Sequence, residues 1–162
     1  MNKKILGWGA ALALGLALGS LGWHLGQSPQ ADHSHVVRYA LEQEPATLDP
    51  AKSTTLPEST VELQMFEGLT RLDDKSEPQA AAAQYWDISQ DGLTYTFHLR
   101  PGMTWSNGAP VRAQDFAYAW KRALNPDTGA DNAYMLYVIK NGEAYNSGQA
   151  SVDEVGIRVV AN

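Results

Sequence analysis

Histidines and paired carboxylates are the residues of this 162-residue chain whose spacing could support chemistry. His33-Ser34-His35 is a His-x-His pair that two-point metal binding would suit, and a cut after Gln30 would expose Ala31-Asp32-His33, an amine-plus-histidine chelate for copper or nickel. Both lie in a polar stretch carrying Pro29, where a solvated tether is the simpler reading. His98 falls on the polar side of an alternating pattern, as an exposed or hydrogen-bonded histidine does, and His24 lies inside an apolar run. Asp73-Asp74 occupies a turn sequence with no third ligand in register, so neither metal binding nor general acid–base chemistry follows from it. The chain has no cysteine, which removes thiolate nucleophiles, disulfides, Cys-held zinc and lipid attachment through an N-terminal cysteine. No Gly-rich phosphate loop, nucleophile elbow or His-Glu zinc motif occurs. The expectation is a protein that is not an enzyme and uses no cofactor and no metal.

Composition narrows the class of ligand. With 44% hydrophobic and 19% charged residues the chain is of globular type, and its length allows one ordinary domain at most. The net charge is −6, and Lys3 and Lys4 precede the first apolar run, so the remainder is more acidic still. An acidic surface repels phosphate backbones, which excludes nucleic acid as a natural partner. The other chemical resource is aromatic: five Trp and seven Tyr. Phe116, Tyr118 and Trp120 are expected in the core, whereas Tyr134 and Tyr137, near a loop, suit a pocket equally well.

The N-terminus sets the compartment. Two lysines followed by the uncharged apolar residues 5–25 form the layout of a secretory signal. Ala17-Leu18-Gly19 supplies the small residues for cleavage before Ser20. The same run matches the ~20 residues of a spanning helix, with Trp23 suited to an interface, so an uncleaved anchor is the competing reading. Residues 1–25 are therefore a signal peptide or membrane anchor, and 26–35 a tether. The chain is expected outside the cytoplasm, periplasmic or otherwise extracytoplasmic.

The elements that must position any site begin near Val36. A short strand is expected over 36–41, broken by Glu44-Pro45 and Leu48-Asp49-Pro50. Pro57, with Glu58 in the first turn and Val61, Met65, Phe66 and Leu69 at helical spacing, predicts a helix over 57–67 ended by Gly68. A short strand over 70–72 enters the turn Asp73-Asp74-Lys75, and residues 80–83 are helix-compatible but short. Residues 85–88 and 93–99 around Ser89-Gln90-Asp91-Gly92 predict a hairpin with Leu93, Tyr95, Phe97 and Leu99 on one face. After the stop Pro101-Gly102 and the turn Trp105-Ser106-Asn107-Gly108, a second helix is expected over 113–124, terminated by Asn125-Pro126. Asp131 would cap a third helix running towards Asn141-Gly142. Residues 155–160 alternate as a last strand whose apolar face would lack a partner, as if a sheet were cut.

The order of these pieces resembles a known family. Leu48-Asp49-Pro50, Pro57-Glu58, Phe66-Glu67-Gly68-Leu69, Trp86, Tyr95-Thr96-Phe97-His98-Leu99-Arg100 and Trp105-Ser106-Asn107-Gly108-Ala109-Pro110-Val111, followed by Ala113-Gln114-Asp115-Phe116 and Trp120, are similar to the N-terminal region of oligopeptide-binding proteins. These are solute-binding proteins of family 5, the receptors of peptide ABC importers. The resemblance implies a mixed α/β (α+β) fold, part of the periplasmic-binding-protein type II architecture of two lobes and an extra domain. Residues 36–66 would start the first lobe and 67–162 form most of the extra domain, an N-terminal fragment lacking the second lobe.

The resemblance also implies the site. An oligopeptide would lie as an added strand, bonded through its main chain, and would be passed to membrane permease subunits, with membrane contact only through the N-terminal segment. The ligand-contacting backbone would be Ser53, Thr54, Thr55 and Leu56, where family members often have an acidic residue and a glycine instead of Thr54 and Thr55. A pocket tyrosine of the family falls near Asn132, with Tyr134 close by. Arg112 stands where a capping Thr or Asn is common, which should weaken the following helix. Alternatives within this fold are a nickel, haem or dipeptide receptor, with His33 and His35 as either incidental or real ligands, or a truncated remnant that binds nothing.

Overall fold

The computed structural model describes residues 37–160. Residues 1–35, for which a signal peptide or anchor and a tether are expected, and with them His33 and His35, lie outside these residues. Residues 37–41 are exposed and carry no strand, contrary to the expectation for 36–41. A run with no neighbouring strand has no ladder to join. The chain divides into a unit ending at Ala40 and a unit formed by Leu41–Asn162, and the architecture below is that of the second.

Helix α1 spans Leu56–Met65. Its start follows from capping chemistry: Thr55 is the N-cap, and Glu58, three residues on, turns its carboxylate back to the N–H groups ahead of the helix. The helix ends earlier than its apolar spacing predicts, because Phe66 is extended (φ −121°, ψ 148°). The chain straightens there so that the carbonyls of Gly68 and Leu69 can accept the N–H groups of Ala82 and Ala83.

Two antiparallel hairpins follow. Strands β1 (Thr70–Leu72) and β2 (Pro78–Ala80) pair Thr70 with Ala80 and Leu72 with Pro78. Their turn is built on Asp73, whose Oδ1 accepts the N–H groups of Lys75 and Glu77 at 2.9 Å each. Turn chemistry thus accounts for this acidic residue, as its sequence context predicts. Residues 80–83 are not helical. Ala81, Ala82 and Ala83 are buried, and the Ala82 carbonyl accepts the N–H of Arg100, so the small side chains serve strand-to-strand approach.

Strands β3 (Ala83–Ile88) and β4 (Tyr95–Leu99) form the second hairpin, pairing Trp86 with Phe97 and Tyr85 with His98. Leu93 does not join its expected face. It sits in the turn, 83% exposed, with its N–H held by Asp91 Oδ1.

Helix α2 spans Ala113–Leu124, as predicted. Arg112 supplies no side-chain cap; Asp115 Oδ2 instead accepts the Arg112 N–H at 2.9 Å and the Trp105 indole N–H at 3.2 Å, docking the preceding turn onto the helix start. That turn needs Gly108 at φ +84°, beside Asn107. Phe116 and Trp120 are half-buried, but Tyr118 is 68% exposed and is not core. It lies on the helix side that nothing among the described residues covers.

The expected third helix is divided. A 3-10 turn at Pro126–Thr128 and another at Ala133–Leu136 precede the short helix α3, Gly142–Asn146. Asn141 takes a left-handed conformation (φ 57°), which breaks helical continuity. Gly142 is required where it stands, since a Cβ would come within 2.7 Å of the Leu136 carbonyl oxygen. The alternating segment 155–160 forms no strand among the described residues. Val155 is buried and Gly156 bonds to Lys140, but no ladder partner is present.

Among the described residues the buried set is small: the three alanines, Leu124, Ala133, Gly142 and Val155, with Glu58 as the buried charge. No helix among the described residues is long and apolar enough to cross a membrane.

Candidate functional site

The stretch before α1 is organised from its backbone outward. Asp49 starts it: its carbonyl accepts the N–H groups of Lys52 and Ser53, and its Oδ1 accepts that of Ala51. The same carboxylate receives both arms of Arg122, near the end of α2, at 2.7 and 2.6 Å. This hydrogen-bonded guanidinium holds the Asp49 carboxyl down at about 2, against an opposing contribution from burial.

Glu58 organises the next turn. Its Oε2 accepts the N–H of Thr54 at 2.7 Å and of Thr55 at 2.8 Å. These two N–H groups hold the Glu58 carboxyl below the usual range although the residue is buried. The hydroxyl of Ser53 donates to Glu62 at 2.8 Å. Among the described residues, the Thr54 carbonyl and the Leu56 N–H remain without partners.

Five of the six candidate residues gather around one contact. The Asn132 side-chain amide donates to the Ser53 carbonyl at 3.1 Å across 79 residues. This bond brings the loop at 132 to the stretch Ser53, Thr54, Thr55 and Leu56. Thr54, Thr55 and Asn132 are exposed, and Leu56 is 79% exposed. Tyr134, two residues on and 60% exposed, makes no side-chain hydrogen bond among the described residues. Among the described residues the surface offers a carbonyl and an N–H without partners, hydroxyls, an amide and a phenol, all of them hydrogen-bonding groups.

The residues behind this surface were only partly legible. Glu58 stood out as a first-turn carboxylate, and its spacing from Thr55 is a capping signature. Nothing in sequence marked Arg122 as the partner of Asp49, or Glu62 as the partner of Ser53. His98 meets its expectation of a hydrogen-bonded surface residue: it is 2.9 Å from Asp87 Oδ2 and stacks on Tyr85 with ring centroids 4.2 Å apart. Among the described residues no three His, Asp or Glu side chains gather as a metal site.

Comparison with known proteins bears out the resemblance. Residues 77–162 match the family model described as bacterial extracellular solute-binding proteins, family 5 Middle. The chain is 40% identical to the dipeptide-binding protein DppE of Bacillus subtilis (strain 168), over 96% of its own length and 30% of the relative's. It is similar in structure to the substrate-binding domain of an oligopeptide ABC transporter from Bacillus anthracis str. Ames, with TM-score 0.73, 43% identity, and coverage of 76% of this chain and 24% of that one. It is likewise similar to Haemophilus influenzae OppA in complex with the peptide RPPGFSPFR, with TM-score 0.68, 38% identity, and coverage of 73% and 23%. The chain thus spans less than a third of the length of these proteins.

Proposed function

Because the chain belongs to the family 5 bacterial extracellular solute-binding proteins, we propose that it is part of a peptide receptor serving an ABC importer, and that Ser53, Thr54, Thr55, Leu56, Asn132 and Tyr134 form one wall of the peptide site. It acts by binding and handing over, without bond chemistry. The observation that carries the reading is the Asn132–Ser53 hydrogen bond, which joins two stretches 79 residues apart that the family resemblance implies for the site. The Thr54 carbonyl and the Leu56 N–H, both without partners among the described residues, are the alternating acceptor and donor that an added strand needs. The named relatives support the ligand class: one is a dipeptide-binding protein and another is seen with a peptide bound.

In this reading residues 36–66 begin the first lobe and 67–162 belong to the extra domain, so the site lies along their seam. The protein works outside the cytoplasm, taken there by residues 1–25, which are then cleaved or kept as an anchor. The remaining wall of the cleft lies in parts of the relatives that this chain does not span, so the 162-residue chain binds peptide weakly.

The test is a titration of the isotope-labelled chain with trialanine, followed by NMR. The expected result is saturable shifts of the Leu56, Asn132 and Tyr134 amides at millimolar peptide, abolished by Asn132→Ala. Shifts that leave these residues untouched would overturn the assignment, and tight binding would overturn the view that this chain holds only one wall.

A further inference from the structure

Glu58 and Glu62 stand one helical turn apart on α1, and both carboxylates turn back onto the segment that precedes the helix. Like charges at this spacing repel. Among the described residues no Lys or Arg forms an ion pair with either of them. Glu58 is compensated by two backbone N–H groups. Glu62 is less well served: its Oε2 accepts the Ser53 hydroxyl at 2.8 Å, while its Oε1 is shut off from solvent without a partner among the described residues. A half-satisfied carboxylate is costly compared with a glutamate turned to water. Its persistence here is explained by what it holds.

What it holds is Ser53, whose N–H already donates to the Asp49 carbonyl and whose other two polar atoms are gripped as well. Its hydroxyl is drawn to Glu62 on α1, and its carbonyl receives Asn132. The N–H bond to Asp49 holds the Ser53 backbone from the loop side, and the hydroxyl bond is the one that ties the residue to α1. We infer that Glu62 is a positioning residue: through the Ser53 hydroxyl it keeps the Ser53 carbonyl on Asn132, and so keeps together the two stretches that would meet the ligand. The ligand-binding consequence rests on the reading of Ser53, Thr54, Thr55 and Leu56 as a peptide-contacting wall; the coupling between Glu62 and Asn132 does not.

The experiment uses Glu62→Ala, Ser53→Ala, the double variant and Glu62→Gln in the 162-residue chain, with two readouts. The first is the NMR signal of the Asn132 side-chain amide without ligand. It moves towards the position of a free carboxamide in E62A and S53A, moves no further in the double variant, and stays in place in E62Q, which retains an oxygen to accept the Ser53 hydroxyl. The second is trialanine affinity, about fivefold weaker in E62A, S53A and the double variant alike, and retained in E62Q. An unmoved Asn132 signal in a folded E62A, or losses that add in the double variant, overturn the inference. If E62A loses its helical circular dichroism, the S53A and E62Q pair carries the same decision. If the Asn132 signal responds as stated while trialanine shifts nothing even in the unmodified chain, the coupling stands and the peptide reading falls.

Discussion

The carboxylate of Asp49 and the guanidinium of Arg122 face each other edge to edge, 2.7 Å between Nη1 and Oδ1 and 2.6 Å between Nη2 and Oδ2, across 73 residues of chain. Two parallel charge-assisted bonds fix orientation as well as distance. They fasten the loop that leads into α1 to the last turn of α2. Two turns of chemistry further on, the Asn132–Ser53 bond repeats the tie. The segment from Asp49 to Ser53, which leads into the candidate site, is therefore tied at both ends to a distant part of the chain.

Arg122→Lys keeps the charge but cannot form the two-pronged contact. The melting temperature followed by circular dichroism is expected to fall by a few degrees, and further in Arg122→Ala. A lysine variant that melts with the unmodified chain would show that the pair acts by charge alone.

Acid should expose the same contact. The Asp49 carboxyl titrates at about 2 in the folded chain and at 3.8 ordinarily. A depressed carboxyl stabilises the fold above its unfolded value and ceases to do so as pH falls through its folded one. Its contribution is thus fully present above pH ~4 and fades between ~4 and ~2. Glu58, Asp73, Asp91 and Glu154 are lowered as well, so the difference between the unmodified chain and Asp49→Asn isolates the pair. The two urea midpoints should differ by a constant amount from neutrality to pH ~4 and converge below it. A gap undiminished at pH ~2 would contradict this assignment.

Leu124 has no exposed surface, and its carbonyl accepts the side-chain amide of Asn146 on α3 at 2.9 Å. Truncation to alanine removes the largest fully buried side chain from a core otherwise rich in alanine. A loss of about 2–4 kcal/mol in urea unfolding is expected for Leu124→Ala. A loss below ~1 kcal/mol would mean that the site collapses around the cavity.

Tyr85 stacks on His98, its partner across the β3–β4 hairpin, with ring planes 13° apart. Cross-strand aromatic pairs of this kind contribute about 0.5–1 kcal/mol. Tyr85→Ala should lower stability by that amount and speed amide exchange in β4 before it affects α2. Uniform acceleration over both elements would assign the stack to global rather than hairpin stability.

Local rules accounted for a good share of this molecule. The 85–88 and 95–99 strands of the hairpin, the Asp73 turn, the Asn107-Gly108 turn and the 113–124 helix each depend on neighbours within a few residues, and each formed much as read, with Leu93 left in the turn. Failures occurred where a distant partner decides. Residues 155–160 alternate like a strand, yet alternation makes a strand only when another chain segment supplies the ladder. Residues 80–83 have helical propensity, but Gly68, Leu69 and Arg100 take their backbone groups into strand-like bonds. Phe66 and Leu69 continue the helical spacing of α1, but the chain is already extended to meet Ala82 and Ala83.

The site divides along the same line. Motif order in the sequence sufficed to place the chain in its family, because turns, caps and helix starts are written in adjacent residues, whereas Ser53, Thr54, Thr55, Leu56, Asn132 and Tyr134 follow from the family resemblance and from no local pattern. The contacts of Asp49 with Arg122, Ser53 with Glu62 and Ser53 with Asn132 belong to the tertiary structure alone. A hydrogen bond across 73 or 79 residues has no periodicity and no local spacing to betray it. Only the fold, by closing those loops, brings donor and acceptor within reach.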